Sequence, residues 1–393
     1  MTITRQAALC TGLALIGAST AQAQGTEACT GPGWLTKADA AFAADCASFA
    51  FEGDLADRER LAWMIFARVN QLIADPDRGM SGTGQVPLWM AWPTDPDTFA
   101  TAVPFDFSNM ARSTMKPSAE KKDLEAGRVA TADPDGANEE VNRNQISYDY
   151  LVDSDLTTKR GIAAFFTKND YVDMPVGSIE LKASWLQVTE GSPVPEGALT
   201  FPFEGGEYWW RGLHLMVKMQ SLPDPGQMFY DEAPSWFWST FEFNDNPGVA
   251  HVRDSFITQR APLSEADIDA LLDEAGIGGF GFEGYAPNGT QIRFTEDGNG
   301  TVPVILGHTD MEDFAGSPNT AQAAYWTRFN ASCHACHATA SYNPETGAFF
   351  PFSVPAGALH PGYNMTDGNG TVQYLGQGYK PLDFMWPLAF QTR

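Results

Sequence analysis

The chain has 393 residues, 43% hydrophobic and 19% charged, and its 49 acidic and 24 basic residues give a formal net charge of −25. The hydrophobic fraction is too high for an acidic disordered tail. The negative charge argues against nucleic-acid binding, which requires a basic surface that displaces counterions, and it favours basic protein partners.

Residues 1–23 have the three parts of a secretory signal peptide. Arg5 is the basic start, an apolar run extends from Ala7 to Ala18, and Ala21-Gln22-Ala23 is a small-residue cleavage site. The run is too short to cross a membrane, and no later segment offers the roughly 20 apolar residues that a span needs. We therefore predict a periplasmic protein without a transmembrane segment, whose net charge becomes −26 when Arg5 is removed.

Five cysteines are present, and Cys10 would leave with the signal peptide. An even pair in an oxidising compartment usually forms a disulfide. Cys29 and Cys46 are therefore predicted to be bonded and to close a loop of about 16 residues, which stabilises the fold by around 3 kcal/mol. A buried free thiol at Cys46 is the alternative.

The first part of the mature chain is predicted to be helical. Residues 38–49 and 55–73 carry apolar side chains at helical spacing. Asp54 is suited to cap the second of these helices. Residues 115–144 are polar, and we expect them to be exposed.

Three segments alternate between apolar and polar residues, as strands do: residues 179–185, 213–219 and 236–243. If they share one sheet, one of its faces carries six charged, histidine or tryptophan side chains: Glu180, Lys182, His214, Lys218, Trp238 and Glu242. Such a cluster could face a cofactor or line a substrate pocket. The favoured interpretation is the solvent-facing side of an antiparallel sheet.

A further helix is predicted from Glu265 to Ala275, with Ser264 as its N-cap and Gly276 at its end. The segment Asp-Gly-Asn-Gly-Thr-Val occurs twice, at residues 297–302 and 367–372. Its side-chain oxygens could bind calcium. Asp-Gly and Asn-Gly are also the usual hairpin turns, and the closing glutamate of an EF-hand is missing. Turns are therefore favoured over calcium sites.

Residues 333–337 read Cys-His-Ala-Cys-His, the pattern of c-type haem attachment. Cys333 and Cys336 on one helical turn can reach the two vinyl groups of a porphyrin, and His337 can then be the proximal iron ligand. A thioredoxin-like motif would need a βαβ unit, and a zinc site would need a second Cys/His pair. Neither pattern is visible. A chance match is the remaining alternative, and the export signal favours one covalent haem c.

The sequence on both sides of the motif bears on this prediction. Residues 321–330 are predicted to form a helix after a start signal at 317–320. A helix that leads into this motif resembles the opening of the small class I cytochromes c. Those proteins end in a further amphipathic helix, whereas Pro387 interrupts the corresponding segment here.

Methionines and histidines are the candidates for the sixth iron ligand. Met365 is favoured, because a thioether suits electron transfer and Asn364-Met365 lies at a suitable distance after the motif. Met385 is the second methionine candidate. His360 or His214 would give bis-histidine ligation, and an open site would permit small-molecule chemistry.

Several stretches resemble a family of exported bacterial proteins known only as cytochrome c family proteins. They are AWMIFARVN (62–70), GSIELKASW (177–185), GLH (212–214), WFWSTFE (236–242), DN (245–246) and CHACH (333–337). The resemblance implies covalent haem with His337 as axial ligand, and it implies no particular reaction. The family often has histidine where this chain has Phe243, so no role of that histidine is transferred.

These patterns together predict an α+β fold. The length allows two or three domains. After the signal peptide at 1–23 we expect a large region at 24–310, with an antiparallel sheet and flanking helices. A short, mostly helix-and-loop haem segment follows at 311–393.

The favoured function is periplasmic one-electron transfer to a basic redox partner protein. The large N-terminal region favours an alternative, a haem-dependent oxidoreductase whose open distal site acts on peroxide or a small organic substrate. No distal acid–base pair stands out to support it. A haem sensor or binding module is the third possibility.

Overall fold

The computed structural model describes residues 27–75, 79–80, 83–100, 103–108, 138–192, 194–203, 206–221, 234–257, 260–293, 304–312, 332–337, 340–349, 378–390 and 392. The helices are α1 (Asp39–Glu52), α2 (Leu55–Val69), α3 (Gln145–Asp153), α4 (Lys159–Phe165), α5 (Val249–Ser255), α6 (Glu265–Glu274), α7 (Cys333–His337) and α8 (Trp386–Phe390). The strands are β1 (Leu72–Ala74), β2 (Gln85–Pro87), β3 (Asn138–Arg143), β4 (Ile179–Val188), β5 (Thr200–Phe203), β6 (Gly206–Lys218), β7 (Trp236–Phe243), β8 (Tyr285–Gln291), β9 (Ser341–Asn343), β10 (Ala348–Phe349) and β11 (Lys380–Pro381).

The fold is α+β, as predicted, and it is built on a six-stranded antiparallel sheet. The strand order is β3-β4-β6-β7-β8, and β5 pairs with the first part of β6. The three strands predicted from alternation are therefore neighbours. Their register sets Lys182 opposite His214, and His214 opposite Thr240. All six side chains of the predicted polar face consequently lie on one side of this sheet.

The other side of the sheet packs against α1, α2 and α6 in a large apolar core. The ring of Phe66 on α2 stacks on Phe241 of β7, with 4.1 Å between ring centroids. The start of α2 is fixed as predicted, because Asp54 accepts hydrogen bonds from the backbone of Ala56 and Asp57 and the Asp57 side chain returns one. This reciprocal pattern is a capping box.

The polar face is also buried, so its interpretation as a solvent-facing surface is wrong. Met216, Trp236 and Trp238 of this face share a second hydrophobic cluster with residues of α3 and α4 and with C-terminal residues from 333 to 388. Lys218 and Glu242 are completely inaccessible to solvent. The predicted boundary near residue 310 thus divides the chain in sequence, while these contacts join the two parts in space.

Three further expectations differ from the structure. The second helix ends at Val69 rather than at residue 73, because Leu72–Ala74 pairs with β2. Residues 138–144 were expected to be exposed but form β3 and the cap of α3, and Arg143 is fully buried. The C-terminal segment is not only helix and loop, since it also forms a small sheet in the order β10-β9-β11.

The predicted disulfide is confirmed, since Cys29 and Cys46 are bonded and both residues are fully buried. Within the described ranges, no helix is long and apolar enough to cross a membrane. The signal peptide, the helix at 321–330 and both copies of the Asp-Gly-Asn-Gly segment lie outside the described residues.

Candidate functional site

The Cys-His-Ala-Cys-His motif forms the short helix α7, and the end of strand β8 positions its first turn. The Gln291 side chain donates a hydrogen bond to Ser332 Oγ at 2.9 Å and accepts one from the His334 backbone at 3.1 Å. Ser332 also forms an isolated parallel bridge with Leu306. The motif is therefore attached to the central sheet rather than to a separate module.

The first motif cysteine is buried. Cys333 has 9% of its surface exposed, and its Sγ lies 3.2 Å from the carbonyl oxygen of Leu306. The side chain of Cys336 lies outside the described atoms. Cys333 is not part of a disulfide, so its sulfur keeps the thiol form that haem attachment requires.

The imidazole of His337 is held in one orientation. Its Nδ1 lies 2.8 Å from the carbonyl oxygen of Phe384. A carbonyl oxygen only accepts hydrogen bonds, so Nδ1 is the donor. In the neutral ring the lone pair is then on Nε2, which is the atom left to bind a metal. The indole of Trp238 packs beside the ring, at 5.0 Å between centroids.

The surroundings of His337 also favour its neutral form. Burial lowers the pKa of His337 to about 4, against a smaller opposing effect of the hydrogen bond to Phe384. Lys182 and His214 lower it slightly further. A neutral imidazole is the form that binds iron. The ring is thus neutral near pH 7 without any metal.

The polar face beside the motif contains an acid–base pair. His214 Nδ1 lies 2.7 Å from Thr240 Oγ1, and His214 Nε2 lies 2.8 Å from Glu312 Oε1. Burial raises the pKa of Glu312, but His214, together with Lys182 and the backbone of His308, holds it below its ordinary value. Both Glu312 and His214 act electrostatically on His337.

A cluster of three further titratable side chains lies farther along the same face. Glu242, His308 and Asp310 have potential ligand atoms within 4.8 Å of one another. The Asn246 amide nitrogen already bridges the two carboxylates, since it donates to Glu242 Oε1 and lies 2.9 Å from Asp310 Oδ2. Arg211 also pairs with Asp310. The carboxylates therefore have protein partners in this arrangement, whether or not an ion can also bind.

The remaining members of the predicted face form buried ion pairs. Glu180 lies 3.1 Å from Arg143 Nε, and Lys218 Nζ lies 2.7 Å from Asp383 Oδ2. Trp238, the tryptophan of the predicted face, packs beside the ring of His337. Lys182 is the most exposed of the charged side chains and pairs with Glu139 at 2.9 Å.

The candidates for the sixth ligand fall into three groups. Met365 and His360 lie outside the described residues. His214 has both ring nitrogens within hydrogen-bond distance of other side chains, so this conformation does not offer it to iron. Met385 directly follows Phe384, whose carbonyl accepts the hydrogen bond from His337 Nδ1. The backbone of Met385 therefore lies on the Nδ1 side of the imidazole, whereas a bound iron would lie on the Nε2 side.

Several residues of this site could not be found from the sequence. Asp383, Phe384 and Glu312 belong to segments without periodicity, and they reach the sheet only through tertiary contacts. The sequence gives one indication that this segment is irregular, because its helical pattern breaks down near Pro387. In the structure α8 begins at Trp386 and does not continue a longer helix.

Comparison with known proteins adds no relative to this description, since no protein-family model, no curated protein and no solved structure matches the chain.

Proposed function

We propose that this chain is an exported c-type haem protein that carries single electrons, with the haem tethered by Cys333 and Cys336 and its iron bound by His337. The observation that carries the proposal is the hydrogen bond from His337 Nδ1 to the Phe384 carbonyl. In metal-binding histidines the other ring N–H characteristically donates a hydrogen bond to such an acceptor, which fixes the tautomer and the ring orientation. His337 is the residue of the motif that would have to bind the iron.

The residues present fit such a group. His337 is neutral and has Nε2 unprotonated, and Cys333, three residues before Cys336, is not in a disulfide. When bound, the haem would supply reversible one-electron oxidation and reduction. The chain would hold the axial imidazole through Phe384 and exclude water with the rings of Trp238 and Phe384, which lie 5.9 Å apart. Met365 is the proposed sixth ligand, because a thioether stabilises the reduced form.

The charge of the chain identifies the proposed partner. With 49 acidic and 24 basic residues, it would attract a basic redox protein. Such docking depends on long-range attraction, so raising the ionic strength should slow association. The proposed periplasmic location is supported by the signal peptide that the sequence predicts at residues 1–23.

The attachment is tested by expressing the full chain in a bacterium that matures c-type cytochromes. Haem should remain on the denatured protein, and the variant Cys333→Ala/Cys336→Ala should lose it. The matched control Cys29→Ala/Cys46→Ala should keep it, because that pair only closes a disulfide. Complete extraction of pigment from the wild-type protein by acid acetone would refute the proposal.

A second candidate, a haem-dependent oxidoreductase acting on peroxide or a small organic molecule, is favoured by the His214–Glu312 pair. This pair is an acid and a base at 2.8 Å, within electrostatic range of His337. Optical spectra separate the two candidates. A sharp low-spin reduced spectrum unchanged by carbon monoxide supports the carrier. A high-spin ferric spectrum that shifts with cyanide or peroxide supports the enzyme and contradicts the carrier.

A further inference from the structure

The acceptor of the His337 hydrogen bond belongs to an unusual backbone turn. Asp383 and Phe384 have φ angles of +49° and +67°, in the left-handed region. Residues with a side chain seldom adopt this region, and two in succession need the surrounding structure to hold them. Backbone of this kind tends to occur at functional sites, where the conformation presents a particular group.

The Asp383 carboxylate provides that hold. Its Oδ2 accepts hydrogen bonds from Lys218 Nζ and from the backbone of Met174, both at 2.7 Å. Its Oδ1 accepts one from Trp236 Nε1 at 2.9 Å. Asp383 is completely buried, and its three donors come from β6, from β7 and from the segment before β4. The turn is thus fastened to the rigid centre of the sheet.

The next residue transmits this anchoring to the motif. The Phe384 carbonyl meets His337 Nδ1, while its ring packs 5.9 Å from Trp238 and 4.8 Å from the ring of His334. Backbone and side chain of one residue therefore contact both the motif helix and the sheet. A shift of Asp383 would move the carbonyl away from Nδ1.

We propose that Asp383 is a positioning residue, which locks the left-handed turn so that the Phe384 carbonyl holds His337 and tunes it as an axial ligand. The proposal rests on the proposed function, that His337 binds a haem iron. A close N–H···O=C bond makes the imidazole more electron-rich, which favours the oxidised metal. Loosening the turn should weaken this bond and raise the reduction potential.

The test uses the full haem-loaded chain and the variant Asp383→Asn. Asparagine has the same shape and tolerates the left-handed region, but it lacks the charge that binds Lys218. We expect about a tenfold shift of the equilibrium toward the reduced form, equivalent to ~59 mV for one electron. We also expect faster hydrogen–deuterium exchange of the His337 Nδ1 proton, followed by NMR.

Two further variants complete the design. Glu180→Gln removes another buried carboxylate from the same sheet face, where Glu180 pairs with Arg143 and does not touch the turn. It should leave Nδ1 exchange unchanged and so reports the effect of charge alone. Trp236→Phe removes one donor to Asp383 and should produce a smaller shift in the same direction, which keeps the test available if Asp383→Asn does not fold.

The outcomes distinguish the two proposals. An unchanged potential and unchanged Nδ1 exchange in Asp383→Asn or in Trp236→Phe, with haem retained after denaturation, would overturn the positioning role alone. Equal potential shifts in Asp383→Asn and Glu180→Gln, without faster exchange, would also overturn it. A wild-type chain that carries no covalent haem would overturn both proposals.

Discussion

The two faces of the central sheet are buried differently: one packs in an apolar core, whereas the other combines a second hydrophobic cluster with buried ion pairs. On one face Leu213, Leu215 and Phe241 pack against the aromatic side chains of α2. On the other face Lys218, His214 and Glu242 are buried titratable side chains, and each has a polar partner. Apolar contacts have little directional requirement, whereas a buried charge is costly unless a specific partner neutralises it.

This difference explains why the C-terminal segment is held where it is. Lys218 pairs with Asp383, and His214 pairs with Glu312, both contributed by residues far along the chain. Each pair fixes the position of the segment that carries its acidic residue. Apolar contacts alone would not specify one position. The ion pairs of Lys218 and His214 thus give the motif helix a defined placement, and the apolar core on the opposite face supplies the driving force for folding.

The largest expected effect comes from removing the buried ion pair between Lys218 and Asp383. Lys218→Met leaves the buried carboxylate of Asp383 without its cation, so the free energy of unfolding should fall by about 3–5 kcal/mol. Urea unfolding measures this change. The control is Lys182→Met on the same face, where the pair with Glu139 is about one-third exposed and is worth about 0–1 kcal/mol. Equal losses in the two variants would contradict the difference in burial.

A smaller effect of opposite sign is expected on the helical side. Burial raises the pKa of Glu59 on α2 from 4.5 to about 7, although Arg260 and Arg253 oppose the shift. Between these values the folded state binds more protons than the unfolded state, so the contribution of Glu59 to stability falls as the pH rises. Glu59→Gln should therefore stabilise the protein by up to about 3 kcal/mol at pH 8 and have little effect at pH 4.

Glu312→Gln provides the comparison for that experiment. His214 holds the pKa of Glu312 below its ordinary value, so its contribution is present at neutral pH and is lost as the pH falls through the folded-state value. Glu312→Gln should consequently destabilise the protein at pH 7, where Glu59→Gln does not. If both variants changed the free energy of unfolding in the same direction at pH 8, the two sides of the sheet would not differ in how they stabilise buried carboxylates.

The smallest expected effect concerns the cap of α2. Asp54→Ala removes the side chain that accepts from the backbone of Ala56 and Asp57 and should cost about 1 kcal/mol in urea unfolding. The exposed Asp269→Ala within α6 is the control and should change stability by less than about 0.5 kcal/mol. A loss in Asp54→Ala no larger than in Asp269→Ala would mean that tertiary packing alone fixes the start of α2.

Local patterns predicted much of the helical layer and the centre of the sheet. Alternation located the three central strands, and it also grouped Glu180, Lys182 and His214 on one face, because side chains alternate along every strand. The burial of that face could not be predicted, since charged side chains are usually exposed. Only the tertiary partners of those side chains, such as Asp383 and Glu312, explain it.

The candidate site likewise has one part that the local sequence predicts and another part that it does not. The spacing of Cys333, Cys336 and His337 is a local signal, and the structure adds which nitrogen of His337 is left for a ligand. The turn at Asp383 and Phe384 has no clear local signal, because Asp adopts a positive φ only occasionally and Phe rarely does. Strands β3 and β8 were also missed, because each contains a polar residue, Arg143 or Asn288, that is buried by partners distant in sequence.

The most direct test of the central claim is mass spectrometry of the full chain purified from a bacterium that matures c-type cytochromes. The peptide that contains residues 333–337 should carry the mass of one haem, joined through both Cys333 and Cys336. The same peptide with two free thiols, or with a disulfide between them, would contradict the assignment of His337 as a haem ligand.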